Sequence, residues 1–189
     1  MYDFEKYEKL IEDGLSEYRF HHSMCVAEKA RQLAVKYGAD ADKAYLAGIL
    51  HDVTKEMPKD EQISLIEKFD RELTDVERAN HRVLHQMSGA VYVKNILGIN
   101  DKEIIGGIRY HTTGRADMTL FEKVIYIADF TSADRSYPDV DIMREKAERS
   151  LDEAMLYSLK YTIREVVKQE RALHPDTLNC YNSIINAMN

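Results

Sequence analysis

Helical spacing of apolar residues governs almost all of this 189-residue chain. Ala27, Ala30, Leu33, Ala34 and Tyr37 recur at three- and four-residue intervals, the period of one helix face. No segment alternates convincingly with the period of two that a strand requires. Only 3 Pro and 8 Gly interrupt the pattern, which favours long helices over a turn-rich β architecture. The expected fold class is all-α: a helical bundle with a C-terminal helical extension.

The spacing predicts a helix over about 23–37, with Gly38 placed to stop it. Asp40 is placed to cap the next helix, which carries Ala44, Ala47 and Leu50 and reaches His51-Asp52 near its end. Met57-Pro58 breaks it. Thr74 with Glu77, Thr119 with Glu122 and Ser150 with Glu153 each have the capping-box spacing. Gly98 closes a helix begun near His85, and Asn100 opens the one leading to His111. The stretch 140–171 reads as one or two amphipathic helices, and Pro175 suits the first turn of a last one. There is no internal repeat or low-complexity stretch. The chain, 1–189, is therefore read as one domain, with a site-bearing core at about 18–135 and C-terminal helices at about 140–189. The polar segment 131–141 separates the two without being a domain boundary.

Charge narrows the partners. Asp and Glu number 33 against 26 Lys and Arg, a formal net charge of −7, and the basic residues form no long run. Phosphate-backbone binding needs clustered cations, so long nucleic acids are not expected as ligands. A small phosphorylated molecule is compatible with the negative total, because a few local cations or a metal override it. No apolar run approaches a membrane span, and the first residues lack the basic and apolar regions of a signal peptide. Cys25 and Cys180 match no zinc or redox spacing. The expectation is a cytoplasmic protein with no membrane partner.

Several polar residues stand where a solvated side chain would be an odd choice. His51-Asp52 follows the apolar stretch Ala44 to Leu50, and Asp129 follows Val124 to Ala128. His111 ends the helical pattern of Ile104, Ile105 and Ile108. An Asp at the edge of a core is costly to desolvate unless it is paired or bound to a cation. Three such positions on three helices point to one shared polar pocket. Imidazole and carboxylate together suit a transition metal such as Fe, Mn or Zn better than Mg. Taken singly, each His reads as a hydrogen-bonded core residue; taken together, with an adjacent His-Asp pair, they read as a metal site.

The order His22, His51-Asp52, Asp129 resembles the H…HD…D signature of the HD superfamily of metal-dependent phosphohydrolases. Finer detail is similar to the bacterial YqeK family: Arg19-x-x-His22-Ser23, His51-Asp52-x-x-Lys55, His85, His111-Thr112-Thr113-Gly114-Arg115, Ala128-Asp129, Arg135 before Tyr137-Pro138, and the late His174-Pro175 with Asn182. One departure is Ala133-Asp134, where the family pattern has Pro with a small polar residue. The resemblance covers about residue 15 to near the C-terminus. It implies an HD-domain helical bundle and a symmetrical bis(5'-nucleosyl)-tetraphosphatase that cuts diadenosine tetraphosphate into two ADP. It also implies two transition-metal ions, commonly iron, with Mn, Co or Zn as alternatives.

By that resemblance His22, His51, Asp52 and Asp129 hold one metal, and Asp52, bridging, with His85 and His111 holds the second. Asp52 and Lys55 are the candidate catalytic residues. Lys55 lies four residues beyond His51, so a helix continuing that far would put both on one face. Phosphate contacts are expected from Arg19, Lys55, Thr112, Thr113, Gly114, Arg115 and Arg135. His81 and His85 have the i, i+4 spacing of a ligand pair; the family pattern selects His85. Two alternatives stay open: hydrolysis of nucleoside mono- or triphosphates at the same metals, and a metal- or nucleotide-binding module without catalysis. The stripe Leu151, Ala154, Met155 and Leu159 on the long C-terminal helices offers a face for a homodimer.

Overall fold

Most helices of this chain begin where a side chain satisfies the free amides of a first turn. The computed structural model describes residues 2–188. In chain order it contains α1 (Phe4–Gly14), α2 (Glu17–Tyr37), α3 (Ala41–Leu50), α4 (Lys59–Phe69), α5 (Asp75–Ala79), a 3-10 turn (His81–Val83), α6 (Leu84–Asn95), α7 (Lys102–Tyr110), α8 (Leu120–Thr131), α9 (Val140–Arg149), α10 (Leu151–Lys168) and α11 (Pro175–Met188). No strand occurs among the described residues. Asp3, Ser16, Asp40 and Asp101 accept from first-turn amides of α1, α2, α3 and α7. Thr74 with Glu77 and Thr119 with Glu122 form complete capping boxes. The third box is half made: Ser150 accepts from the Glu153 amide, while the Glu153 carboxylate pairs with Arg149.

Two boundaries differ from the sequence reading. Ser16 starts α2 at Glu17, well before Ser23, so Arg19 and His22 both lie inside that helix. Asp101, not Asn100, caps α7. Of the one or two helices expected over 140–171 there are two, α9 and α10, and Ser150 divides them as its capping spacing indicates. Neither α1 nor α4 is marked by the apolar spacing. Gly38 ends α2 in the left-handed region with φ 82°, and its amide and that of Ala39 both donate to the Ala34 carbonyl at 2.9 Å.

α2 lies along α3 and α8, α3 also meets α7, and α6 packs between α4 and α7. Leu46 to Leu50 is buried without a break, so the C-terminal half of α3 has no solvent face. α10 packs on α8, α9 and α11. Its Leu151, Ala154, Met155 and Leu159 belong to the same apolar cluster as Val26, Leu50 and Ile125. That stripe is therefore spent on the chain's own core, and the argument for a dimer face on it fails. The polar segment after α8 is pinned in place: Arg144 donates to the carbonyls of Thr131, Ser132 and Arg135 at 3.3, 2.9 and 2.9 Å. No described helix is long and apolar enough to cross a membrane.

Candidate metal centre

Five elements deliver the candidate ligands. His22 comes from the interior of α2, His85 from the first turn of α6 and Asp129 from the last turn of α8. His51 and His111 are the C-cap residues of α3 and α7. His22, His51, Asp52, His85 and His111 are all buried. Asp52 Oδ1 lies 3.2 Å from His85 Nε2 and 3.5 Å from His111 Nε2. His85 Nε2 and His111 Nε2 are themselves 3.0 Å apart. Asp129 Oδ1 lies 3.1 Å from His22 Nε2 and 3.9 Å from His51 Nε2. Two overlapping groups, His22–His51–Asp129 and His51–Asp52–His111, bring their donor atoms within 4.8 Å of one another.

Hydrogen bonding on the far side of each ring sets which nitrogen faces inwards. His51 Nδ1 donates to the Gly48 carbonyl at 2.7 Å, and His111 Nδ1 donates to the Ile108 carbonyl at 2.8 Å. Both carbonyls are free because the helices end there. Each ring therefore presents a bare Nε2 to the pocket. His51 Nε2 and Asp52 Oδ1 are buried and find no hydrogen-bond partner among the described residues. A buried acceptor with no donor is unfavourable, and a set of such acceptors facing one another calls for a cation. The donor set, imidazole nitrogen with carboxylate oxygen, fits a transition metal.

Electrostatics agree with that fit. Burial pulls the His51 pKa down to about 4. Burial, reinforced by the Lys55 ammonium, holds His85 well below its ordinary value. Burial alone would raise Asp52 and Asp129, but their neighbours outweigh it and hold both well below the usual carboxylate range. His51 and Lys55 do so for Asp52, Arg135 and His22 for Asp129. The His51 and His85 rings are thus neutral, and the two carboxylates charged, at neutral pH. These are the forms a metal binds.

The expected phosphate residues divide into two groups. Arg19 Nη1 lies 3.3 Å from Asp52 Oδ2. Lys55 Nζ lies 3.6 Å from Asp52 Oδ1 and 2.9 Å from His85 Nε2. The helix does not continue to Lys55. Successive tight turns, with Val53, Lys55 and Met57 amides bonded three residues back, bring it round instead. Arg135 pairs with Asp129 through Nη2 and donates from Nε to the Asp129 carbonyl at 2.8 Å. The Thr112 hydroxyl is 3.1 Å from His85 Nε2. Arg19, Lys55, His85 and Thr112 line a cleft of about 620 Å³ that opens beside the ligands, with His81 and Arg82 at its mouth. His81 is exposed on the 3-10 turn and stands apart from the ligand cluster.

Thr113, Gly114 and Arg115 are not brought to this cleft, which corrects the expectation for them. The Thr112 and Thr113 amides are spent on Gln86 Oε1 at 3.0 and 3.1 Å, and the Gly114 amide on the Tyr110 carbonyl. Gly114, at φ 65°, turns the chain away and sits against Cys180. Arg115 then forms a two-point ion pair with Glu122, Nε to Oε1 at 3.1 Å and Nη2 to Oε2 at 3.0 Å. His174 is also remote: it is buried, accepts from the Asp176 amide and lies 3.3 Å from Glu77.

Two residues that shape the site escaped the sequence argument. Gln86 sits inside an apolar-looking stretch of α6 yet holds the turn after His111. Asp134 reaches the far nitrogen of His22 from the loop after α8, at 2.8 Å. The only signal for Asp134 was that it interrupts the family pattern.

Residues 19–134 match the HD domain family. The chain is 39% identical over 178 residues to a symmetrical bis(5'-nucleosyl)-tetraphosphatase of Halalkalibacterium halodurans, covering 94% of each protein. A protein of the same description from Bacillus subtilis is 39% identical, with 93% of this chain and 94% of that protein covered. One from Staphylococcus aureus is 34% identical, with 95% and 93% covered. The fold superposes with TM-score 0.96 on the crystal structure of a protein from Clostridium acetobutylicum described as a predicted HD superfamily hydrolase involved in NAD metabolism. That protein is 35% identical, and 99% of each chain is covered. With the ligand order, the helical frame and these full-length relatives in agreement, the chain belongs to the HD domain family and, within it, to the symmetrical bis(5'-nucleosyl)-tetraphosphatases.

Proposed function

We propose that this chain hydrolyses dinucleoside tetraphosphates symmetrically, diadenosine tetraphosphate giving two ADP. The single observation that carries the reading is Asp52 Oδ1. It is a buried carboxylate oxygen with no hydrogen-bond partner among the described residues, with His85 Nε2, His111 Nε2 and Lys55 Nζ all within 3.6 Å, and two of those three neighbours, Lys55 and His85, line the cationic cleft. His22, His51, Asp52 and Asp129 would hold one metal ion, and Asp52, His85 and His111 a second. Iron leads Mn, Co and Zn as their occupant, on the family resemblance. When bound, such a pair supplies an acidified water as nucleophile and neutralises phosphate charge.

The protein's own groups do the rest. Asp52 would serve both halves of the ligand set, because its oxygens face different members of it: Oδ2 lies 3.6 Å from His51 Nε2, and Oδ1 faces His85 and His111. Symmetrical cleavage breaks the bridge between the second and third phosphates. One ADP takes the hydroxyl of water and the other keeps the bridging oxygen. Charge collects on that oxygen as the bond breaks. Lys55 and Arg19, which line the cleft, would neutralise it, and the Thr112 hydroxyl offers a further donor. Arg135 flanks Asp129 through its ion pair. Burial lowers the Lys55 pKa, an effect opposed by Asp52 and Asp129.

Product analysis with diadenosine tetraphosphate tests this. ADP as sole product supports the symmetrical cut. AMP plus ATP would show a different bond broken. Turnover of nucleoside mono- or triphosphates in preference to the dinucleotide would move the substrate to the simpler class.

A further inference from the structure

Each neutral imidazole in the pocket must place its one proton on the ring nitrogen that faces away from the metal. His51 and His111 solve this locally, because each caps a helix and its Nδ1 reaches a carbonyl three residues back that no helical amide uses. His22 cannot. It lies in the interior of α2, where the neighbouring carbonyls are engaged by the helix. Its Nδ1 instead meets Asp134 Oδ2 at 2.8 Å, across 112 residues of sequence. On the opposite side, His22 Nε2 lies 3.1 Å from Asp129 Oδ1. Two carboxylates thus compete for one ring proton. A proton drawn to Asp129 would sit on the nitrogen that should bind metal.

The geometry points to Asp134 as the positioning residue that wins this competition: by accepting from His22 Nδ1–H it keeps Nε2 bare and aimed at the metal. Asp129 is the weaker competitor because Arg135 already pairs with it, by side chain and through its carbonyl. Among the described residues the other oxygen of Asp134 accepts only from the Ser132 hydroxyl, at 2.7 Å, which orients the carboxylate without neutralising it. The carboxylate is nearly enclosed, with 8% of its side chain exposed. The loop that carries it is fixed by Arg144, through the Ser132 and Arg135 carbonyls. This inference rests on the reading of His22 as a ligand.

The test compares Asp134→Ala, Asp134→Asn and His22→Ala in the full chain. Affinity for Co2+ is measured by competition with a chelator, with the visible spectrum of bound Co2+ as a second readout. Asp134→Ala is expected to lose about 10- to 100-fold in affinity at one of the two metals, with the other unchanged. Asp134→Asn keeps an oxygen acceptor and recovers most of that loss. Nitrogen-detected spectra of the metal-free protein above neutral pH should place the His22 proton on Nδ1 in the wild type and on Nε2 in Asp134→Ala. The spectra also serve if the alanine variant folds poorly, because Asp134→Asn should retain the wild-type tautomer. If His22→Ala loses a metal while Asp134→Ala binds both with wild-type affinity, the positioning role is overturned and the ligand reading stands. If His22→Ala also keeps both metals, the two fall together.

Discussion

Gly48 of α3 lies directly on Ala27 of α2: a Cβ at position 48 would stand 2.8 Å from the Ala27 amide nitrogen and closer still to its Cα. This contact sets the spacing of the two helices that carry His22 and His51, and the Gly48 carbonyl also receives the His51 ring proton. Gly48→Ala should therefore act twice. Forcing the helices apart costs about 1–3 kcal/mol, and the same shift separates the two ligands. A thermal melt and a metal titration of this variant should both fall, while Gly14→Ala, which has open space around it, should change neither.

Lys55 is held by the pocket rather than by solvent, between Asp52 and His85. Lys55→Met is expected to lower turnover by about 10²-fold, the loss typical of one donor to developing charge. The metals should remain bound, because Lys55 contributes no ligand atom. Loss of metal together with activity would show that Lys55 supports the ligands instead.

Arg115 and Glu122 form a two-point pair away from the cleft. Arg115→Met leaves the buried Glu122 carboxylate with only its capping bond and should cost about 1–3 kcal/mol of stability. The KM for diadenosine tetraphosphate should not move. A several-fold rise in KM at unchanged stability would return Arg115 to the phosphate site.

The pH dependence of the metal-free fold follows from the buried rings. His51, at about 4 against an ordinary 6.5, binds its proton less readily folded than unfolded, and burial shifts His85 the same way. Between these values the unfolded chain holds more protons, so stability falls as the pH falls from about 6.5 towards 4. For His51 alone the loss is on the order of 3 kcal/mol. His22 works in the opposite sense. Burial opposes its charge, but Asp129 outweighs burial and raises its pKa, so it adds stability on the acid side. Two depressed rings against one raised ring give a net acid lability. Denaturant melts across this range on chelator-treated protein should show it, and a flat profile would contradict it.

Glu77 ties the segment before α6 to the C-terminal region through Arg71, Thr74 and His174. Burial would raise its carboxyl, but Arg71 and Thr74 hold it down at about 2. Glu77→Ala should cost about 2 kcal/mol, most of it the lost cap and buried pair. Hydrogen exchange should rise around residues 71–83 and 174–178 and leave the ligand helices protected.

Much of the architecture was legible because helix chemistry is local. Thr74, Thr119 and Gly38 act through neighbours within a few residues, and spacing shows them. The polar residues at the ends of apolar runs, His51-Asp52 and His111, could be recognised as unusual for the same reason. What could not be read depends on partners distant in sequence. Asp134 meets His22 across 112 residues, and Arg115 turns from the cleft because Gly114 bends the chain towards Glu122. The apolar stripe on α10 looks the same whether it faces a second chain or, as here, its own core. Gly48 gives no sign in sequence that Ala27 will lie against it.

The most direct test of the central claim is paired metal content and turnover of diadenosine tetraphosphate in wild type and Asp52→Ala, both purified without oxygen. The wild type is expected to hold about two transition-metal ions per chain and to produce ADP. In the variant both should be lost while the helical circular dichroism signal remains. Undiminished turnover in Asp52→Ala would contradict the central claim, because the reaction would then not depend on the carboxylate at the centre of the site.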